Sequence, residues 1–471
     1  MSKIIAFFAG LLICCGAFAQ NMVTIRGQLE NAKGKLASID IQKVPFTEEL
    51  DSYAGFVNDD GSFVIQFALE KPVVAVFYHA NNFAEVYIQP NDEMYIYADI
   101  KRFSESIKFT GNGDVHNNFL TKYNRTFSTA VAQQKARERI KNLTSAEYKD
   151  ATNCERDDKL KMLTDYKHEN PVTETFKEFM YAKIDCEWAT DLMDYPFAYT
   201  MVTDSDFPDL PPDYYDFLDD IKLDNDIAVS LPMYSELLLK FISKKFRAYV
   251  SGGSYDSDKQ YVDKYEFAKK YFKNKPLYYA QGQYIIDGTI YSKVEYLRDA
   301  YAEYMASCPY EDYKKVVKEK FEKASATGAD VAAPDFQLVN AEGQQVALQD
   351  LKGKVVYLDF WATWCGPCLK EMPASQQLKN HFANKDVEFV YVSVDEDANK
   401  WRSFIEEKAW DKKYHLLNDG LGLNSPVTNT YNIKGVPKYV IIDKNGIIRD
   451  SNAKRPSEMG VIRDIEGALR K

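Results

Sequence analysis

The chain has 471 residues, of which 45% are hydrophobic and 27% charged, and its net charge is −11. That is more than one ordinary domain holds, and it provides enough apolar residues for each domain to bury a core. The acidic balance excludes nucleic acid and anionic membrane surfaces as expected partners, because both are recognised through basic patches.

Residues 1–19 read as a signal peptide. Lys3 supplies the positive start, residues 4–15 the apolar run, and Ala17-Phe18-Ala19 a small-x-small cleavage site, so the mature chain starts at Gln20. The apolar run is too short to span a bilayer. Export to a periplasm or cell envelope is therefore expected. Leu12-Ile13-Cys14-Cys15 leaves a lipoprotein reading open, although the residue before a lipid-bearing cysteine should be small, and here it is Ile13 or Cys14.

Residues 20–113 predict a small all-β sandwich. Strand-like runs at 24–29, 62–67, 73–78, 84–88 and 93–98 are rich in β-branched and aromatic residues. Asp59-Asp60-Gly61, Asn81-Asn82, Pro90-Asn91-Asp92 and Gly111-Asn112-Gly113 punctuate them as turns. No catalytic constellation stands out there.

Residues 114–323 predict an all-α region. Thr144-Ser145-Ala146-Glu147 fits a capping box. Phe176, Phe179, Met180, Ile184 and Trp188 share one helical stripe. The abundant tyrosines here read as packing residues whose hydroxyls reach solvent, with a sugar- or peptide-binding face as the alternative. Residues 324–332, small and polar, read as a linker. From 333 to 471 strands and helices alternate: strands at 354–360 and 387–394, helices at 368–382 and 400–408, a hairpin across Lys444-Asn445 and a closing helix at 457–469. That alternation predicts an α/β domain with helices on both faces of a sheet.

Seven cysteines are present; Cys14 and Cys15 fall in the leader, which leaves Cys154, Cys186, Cys308, Cys365 and Cys368. The remaining number is odd, so the chain is not a disulfide framework. Cys154, Cys186 and Cys308 read as packed thiols, with a Cys154–Cys186 bridge as the alternative. Trp364-Cys365-Gly366-Pro367-Cys368 is different. Two cysteines two residues apart, where a strand ends and a helix begins, form a dithiol that can cycle with a disulfide. The spacing also fits half a zinc site, but no second pair completes one, so no metal is expected.

Over roughly residues 328–471 these features resemble the thioredoxin superfamily, and within it the exported TlpA-like thiol:disulfide reductases. The resemblance rests on Ala333-Pro334-Asp335-Phe336, on Leu351-Lys352-Gly353-Lys354, and on the run from Phe360 through Cys368. Glu371-Met372-Pro373 and Gly435-Val436-Pro437 complete it. It implies a thioredoxin fold with an inserted β/α unit at 387–423, and no cofactor. It implies Cys365 as the nucleophile at a helix start, where unpaired N–H groups favour the thiolate, and Cys368 as the resolving thiol. Asp359 matches the buried acid that exchanges the proton of the second cysteine, with a core carboxylate as the alternative. Glu371 matches an acid that tunes the site, or is an ordinary helix residue. Pro373 matches a helix kink. Pro437 matches the cis-proline facing the cysteines, with Val436 offering backbone to a substrate strand and Trp364 bordering the surface; Trp361 is as readily core. Residues 20–113 resemble an uncharacterised β-domain found before such reductases, and the helices its spacer.

The expected activity is protein-disulfide reduction in the envelope, with apocytochrome c thiols among the family's substrates and a membrane thiol carrier as electron donor. Two other readings stand beside it. One is a peroxiredoxin-like peroxidase, although Thr363 lies only two residues before Cys365. The other is a docking protein whose thioredoxin domain is a scaffold.

Overall fold

The computed structural model describes residues 21–32, 35–251 and 255–471. The signal peptide over 1–19 and the lipid-attachment reading lie outside the described residues. Among the described residues no helix is long and apolar enough to cross a membrane. The chain forms two compact units, one reaching to Arg247 and including Phe272–Tyr279, the other made of Ala248–Tyr271 and Ala280–Lys471.

The first unit begins with strands β1 (Met22–Glu30), β2 (Leu36–Gln42), β3 (Leu50–Phe56), β4 (Ser62–Ala68), β5 (Val73–His79), β6 (Asn82–Ile88), β7 (Glu93–Asp99) and β8 (Lys108–Gly111). They make two four-stranded sheets, ordered β4-β1-β7-β8 and β3-β2-β5-β6. Alternation decides which side chains go in: Phe63, Ile65 and Phe67 of β4 are buried while Val64 and Gln66 face out. Val23, Ile25, Ile39, Phe63, Phe77 and Ile96, drawn from both sheets, share one core. β2 and β3 had no clear signal in the sequence. β3 reads Leu-Asp-Ser-Tyr-Ala-Gly-Phe and buries little beyond Gly55, so no alternating apolar face marks it. Gly61 closes the β3–β4 turn at φ +86, where a Cβ would lie 2.3 Å from the Leu29 carbonyl oxygen.

Helices α1 (Phe103–Ser106), α2 (Asp114–Phe127), α3 (Ala130–Asn142), α4 (Ser145–Glu169), α5 (Glu174–Thr203) and α6 (Pro232–Val250) follow. The capping box at the start of α4 forms: the Glu147 N–H donates to Thr144 Oγ1, and the Thr144 N–H to Glu147 Oε2. The stripe on α5 is buried, as its period requires. Tyr123, Tyr195, Tyr214 and Tyr234 are fully buried, so these tyrosines pack rather than present a binding face; their hydroxyls do not reach solvent as expected, those of Tyr123 and Tyr214 donating instead to Glu187 and to the Leu192 carbonyl. Cys154, Cys186 and Cys308 are free thiols, which corrects the alternative of a Cys154–Cys186 bridge; Cys186 and Cys308 are packed, but Cys154 is exposed on α4, which corrects its reading as a packed thiol.

The second unit contains α7 (Gln260–Ala268), most of α8 (Asn274–Tyr291), α9 (Arg298–Ser307), α10 (Glu311–Ser325) and an α/β part. That part is built from β9 (Gln337–Asn340), β10 (Gln345–Ala347), β11 (Val355–Trp361), α11 (Gly366–His381), β12 (Val387–Ser393), α12 (Ala398–Glu407), β13 (His415–Leu417), α13 (Pro426–Thr430), β14 (Lys438–Ile442), β15 (Ile448–Asp450) and α14 (Val461–Leu469). Its seven-stranded mixed sheet is ordered β10-β9-β13-β12-β11-β14-β15. β11 lies parallel to β12 and antiparallel to β14, and every one of its residues is buried. Tyr357 and Trp361 face one core and Val356, Leu358 and Phe360 the other, so apolar layers cover both faces of the sheet. The multidomain layout of β-sandwich, helices and thioredoxin-like α/β domain is thus present. The stretch read as a linker is tied down inside this unit: the Asp330 N–H donates to the Ile448 carbonyl and the Ala333 N–H to that of Gly446. Lys438, next to Pro437, is half-buried and donates to the Ile290 carbonyl and to Asn452 Oδ1. Burial pushes its ammonium down to about 8.

One element starts later than expected. The closing helix begins at Val461 rather than 457, because Gly460 takes φ +99 and breaks the helical path before it. Residues 457–460 are left as a turn, in which the Glu458 N–H donates to the Arg455 carbonyl.

Candidate active site

β11 is the central fully buried strand, and the chain leaves it through Ala362-Thr363-Trp364 before entering α11. Cys365 is the N-cap of α11 and Pro367 occupies its first turn, a position that asks nothing of the missing N–H. Cys365 and Cys368 are joined by a disulfide with a Cα–Cα distance of 5.2 Å. The Cys368 N–H points at Cys365 Sγ over 3.1 Å. This is one of the unpaired donors of the helix start, and together with the helix dipole it favours negative charge on that sulfur. Cys365 is 4% and Cys368 1% exposed.

Asp359, on the strand that leads to the dithiol, is 1% exposed, with no hydrogen-bond partner for Oδ1 among the described residues. Its alternation places it on the same face of β11 as Tyr357 and Trp361. Burial first, and the nearby Glu371 charge second, push its carboxyl well above the usual carboxylate range. Tyr439, paired with it across the β11–β14 ladder, and Tyr391, paired across β11–β12, wall it in. Burial raises both phenols, and the Asp359 charge adds to this. Glu371 lies three residues after Cys368 and shares its buried helix face with Ser375 and Leu378. It is 8% exposed.

The Val436–Pro437 bond is cis. Val436 packs against both cores of the α/β part, the one that holds the cysteines included. Trp364 is 57% exposed beside Cys365, whereas Trp361 is fully buried against Phe404, Trp410 and His415. The open choice for Trp361 therefore falls to core. Among the described residues no group of His, Cys, Asp or Glu could hold a metal.

The structure adds residues that no motif or spacing singles out. Asp395, 2% exposed, accepts the Thr363 N–H at 2.9 Å and the Thr363 hydroxyl at 2.6 Å. The Ser393 hydroxyl donates to the same carboxylate at 2.6 Å. Trp361 and Ser393 are register partners on parallel strands, so the residues two steps beyond each of them meet. Asp395 thereby pins the loop that carries Cys365. Replacing it by alanine is expected to leave the Thr363 N–H and hydroxyl unpaired, at about 2 kcal/mol of stability. A fall in melting temperature together with slower disulfide exchange checks this; an unchanged melting temperature contradicts it. Alongside α11, a cavity of about 520 Å³ runs between Leu369, Met372, Tyr391, Phe404, Trp410 and His415. His415 is stacked on Tyr391, and burial pushes its imidazole down to about 3.

Comparison with known proteins gives the same chemistry. Residues 328–469 match the family model described as Redoxin. "Thioredoxin-like protein YneN" of Bacillus subtilis is 38% identical over 120 residues, which is 25% of this chain and 67% of that protein. "Thiol-disulfide oxidoreductase ResA" of Geobacillus kaustophilus is 34% identical over 145 residues, 31% of this chain and 78% of that protein. Across relatives of this kind the chain spans 63% to 78% of their length. Among solved structures, the thioredoxin domain of a thiol-disulfide oxidoreductase from Bacteroides vulgatus is similar at 28% identity, covering 30% of this chain and 96% of that one with a TM-score of 0.27.

Proposed function

We propose, on the premise that the chain belongs through residues 328–469 to the redoxin family of thiol–disulfide oxidoreductases, that it is an exported protein-disulfide reductase working through Cys365 and Cys368. The observation that carries this reading is the disulfide at the first turn of α11 together with a buried carboxylate, Asp359, on the strand that leads into it.

In the reduced protein the Cys365 thiolate attacks one sulfur of a substrate disulfide. A mixed disulfide forms and the other substrate sulfur leaves as a thiolate. Cys368 gives its proton to Asp359, and the resulting thiolate attacks Cys365 Sγ. The Cys365–Cys368 bond forms, the second substrate sulfur leaves, and Asp359 returns the proton to it. Two electrons pass from the protein dithiol to the substrate. Reduction of the protein by an external dithiol closes the cycle, and we assign that role to a membrane thiol carrier. Exposed Trp364 and the Val436-Pro437 segment form the proposed substrate contact, and Glu371 tunes the dithiol. Disulfide-bearing envelope proteins, apocytochrome c among them, are the proposed substrates. Export rests on the sequence of residues 1–19. The divisions 20–113, 114–323, 324–332 and 333–471 are the proposed domain boundaries.

The peroxidase reading loses support from Thr363. Its hydroxyl donates to Asp395 at 2.6 Å and is thus committed away from Cys365. A scaffold without chemistry has no use for a buried carboxylate lacking a partner on Oδ1, which carries a cost without return unless it moves a proton.

The test is dithiothreitol-driven reduction of insulin by the mature protein. Precipitation of the insulin B chain is expected to start sooner than with dithiothreitol alone. A time course identical to the uncatalysed one would defeat the reading.

A further inference from the structure

The turn before α14 brings one more residue to the dithiol. Ser457 lies in the turn before α14, where its backbone N–H donates to Glu371 Oε2 at 3.0 Å and its hydroxyl donates to Oε1 at 2.9 Å. Both oxygens of Glu371 are held by this one residue, 86 positions away in the chain. Glu371 is buried on the Cys368 face of α11, and its charge acts on Asp359, buried on β11.

We propose that Ser457 is a positioning residue of the dithiol site: its paired donors fix the Glu371 carboxylate beside Asp359, so that the two acids act as one unit receiving the Cys368 proton. The inference rests on the reductase reading above. It adds a residue from the C-terminal turn that the chemistry of the dithiol alone does not call for.

The physical reason is a mismatch of acidities. A carboxylate titrates near 4 and a thiol near 8.5, so an ordinary aspartate is too weak a base to take a thiol proton readily. A second negative charge held close by raises the affinity of Asp359 for that proton. The effect depends on distance, so a Glu371 free to swing toward solvent would lose most of it. The other ionisable groups around the pair are Tyr357 on the same strand, Tyr391 on β12, Tyr439 on β14, and Lys454 and Arg455 on the loop before α14. Tyr357 donates to the Lys454 carbonyl, and the Lys454 ammonium is engaged by Asp464 of α14 at 2.6 Å. Among the described groups, Glu371 is the charge that acts on Asp359.

Ser457 is exposed, so replacing it should leave the fold intact. In Ser457→Ala the hydroxyl donor is lost and only the backbone N–H remains, so Glu371 Oε1 is freed, the carboxylate is held less firmly and Asp359 becomes a weaker base. The rate of mixed-disulfide resolution is expected to fall about tenfold, and its acid limb to move to lower pH by about one unit. Ser457→Thr, which keeps both donors, should retain wild-type behaviour. In a Glu371→Gln background, Ser457→Ala should have no further effect on rate or limb. The melting temperature is followed in parallel. An unmoved acid limb in Ser457→Ala, or an equal rate loss in both backgrounds, overturns the inference. A wild-type protein that fails to reduce insulin instead defeats the reductase reading, whatever Ser457 does.

Discussion

Cys365→Ser is expected to lose essentially all disulfide-reductase activity, at least about a thousandfold, which corresponds to about 4 kcal/mol of barrier. The thiolate is the attacking species, and Cys365 Sγ is the sulfur that meets the Cys368 N–H at the positive end of α11. A serine hydroxyl in that place has no accessible anion. Cys368→Ser should behave differently. It keeps the nucleophile and removes the group that releases the substrate, so a mixed disulfide with Cys365 accumulates. Non-reducing electrophoresis of the protein mixed with envelope extracts reads this directly. Trapped species in Cys368→Ser that vanish in Cys365→Ser would agree with the assignment; substantial insulin reduction by Cys365→Ser would contradict it. The trapped proteins would name the substrates.

Asp359→Asn is expected to slow resolution of the mixed disulfide about a hundredfold, the range typical of a lost general base. The sign of the pH dependence follows from its role. Asp359 must be ionised to accept the Cys368 proton, and burial with Glu371 nearby sets its pKa well above the ordinary carboxylate value. The wild-type rate should therefore fall as the pH drops through that raised pKa, and the asparagine variant should lack this limb. Stability should move the other way. The native state holds the Asp359 proton at pH values where the unfolded chain has released it, so stability declines as pH rises from the ordinary carboxylate value to the raised one. Asp359→Asn should accordingly melt at a higher temperature than wild type in alkaline buffer, with the gap closing near pH 4. Thermal scans at the two pH values check this. A variant less stable than wild type at alkaline pH would count against a buried, partnerless charge at this position.

The residues of the site fall into two sets by how they could be found. Cys365, Cys368, Asp359 and Glu371 lie within thirteen positions of one another on a strand, a loop and a helix turn, and their spacing already aligns them. Pro437 is farther along, but its Gly-Val-Pro setting carried the resemblance. Asp395 and Ser457 left no such mark. Asp395 matters because β12 runs parallel to β11 in a register that brings it to Thr363. Ser457 lies 86 positions beyond Glu371, and only the packing of the turn before α14 brings its N–H and hydroxyl to that carboxylate. β2 and β3 escaped for a similar reason: their half-exposed faces carry no clean alternation, and they are held by pairing to β5 and to each other.

The amino-acid order alone was enough to place a dithiol at the start of a helix, a carboxylate one strand-end below it and an α/β domain around both. Each of these depends on neighbours a few residues apart, where the periods of strand and helix govern what meets. Which distant side chains close around that centre was decided only when the chain folded. Strand register brought Asp395 under the loop, and the packing of the turn before α14 brought Ser457 to Glu371. Contacts between residues far apart in the chain arise from packing and pairing, and no local period encodes them.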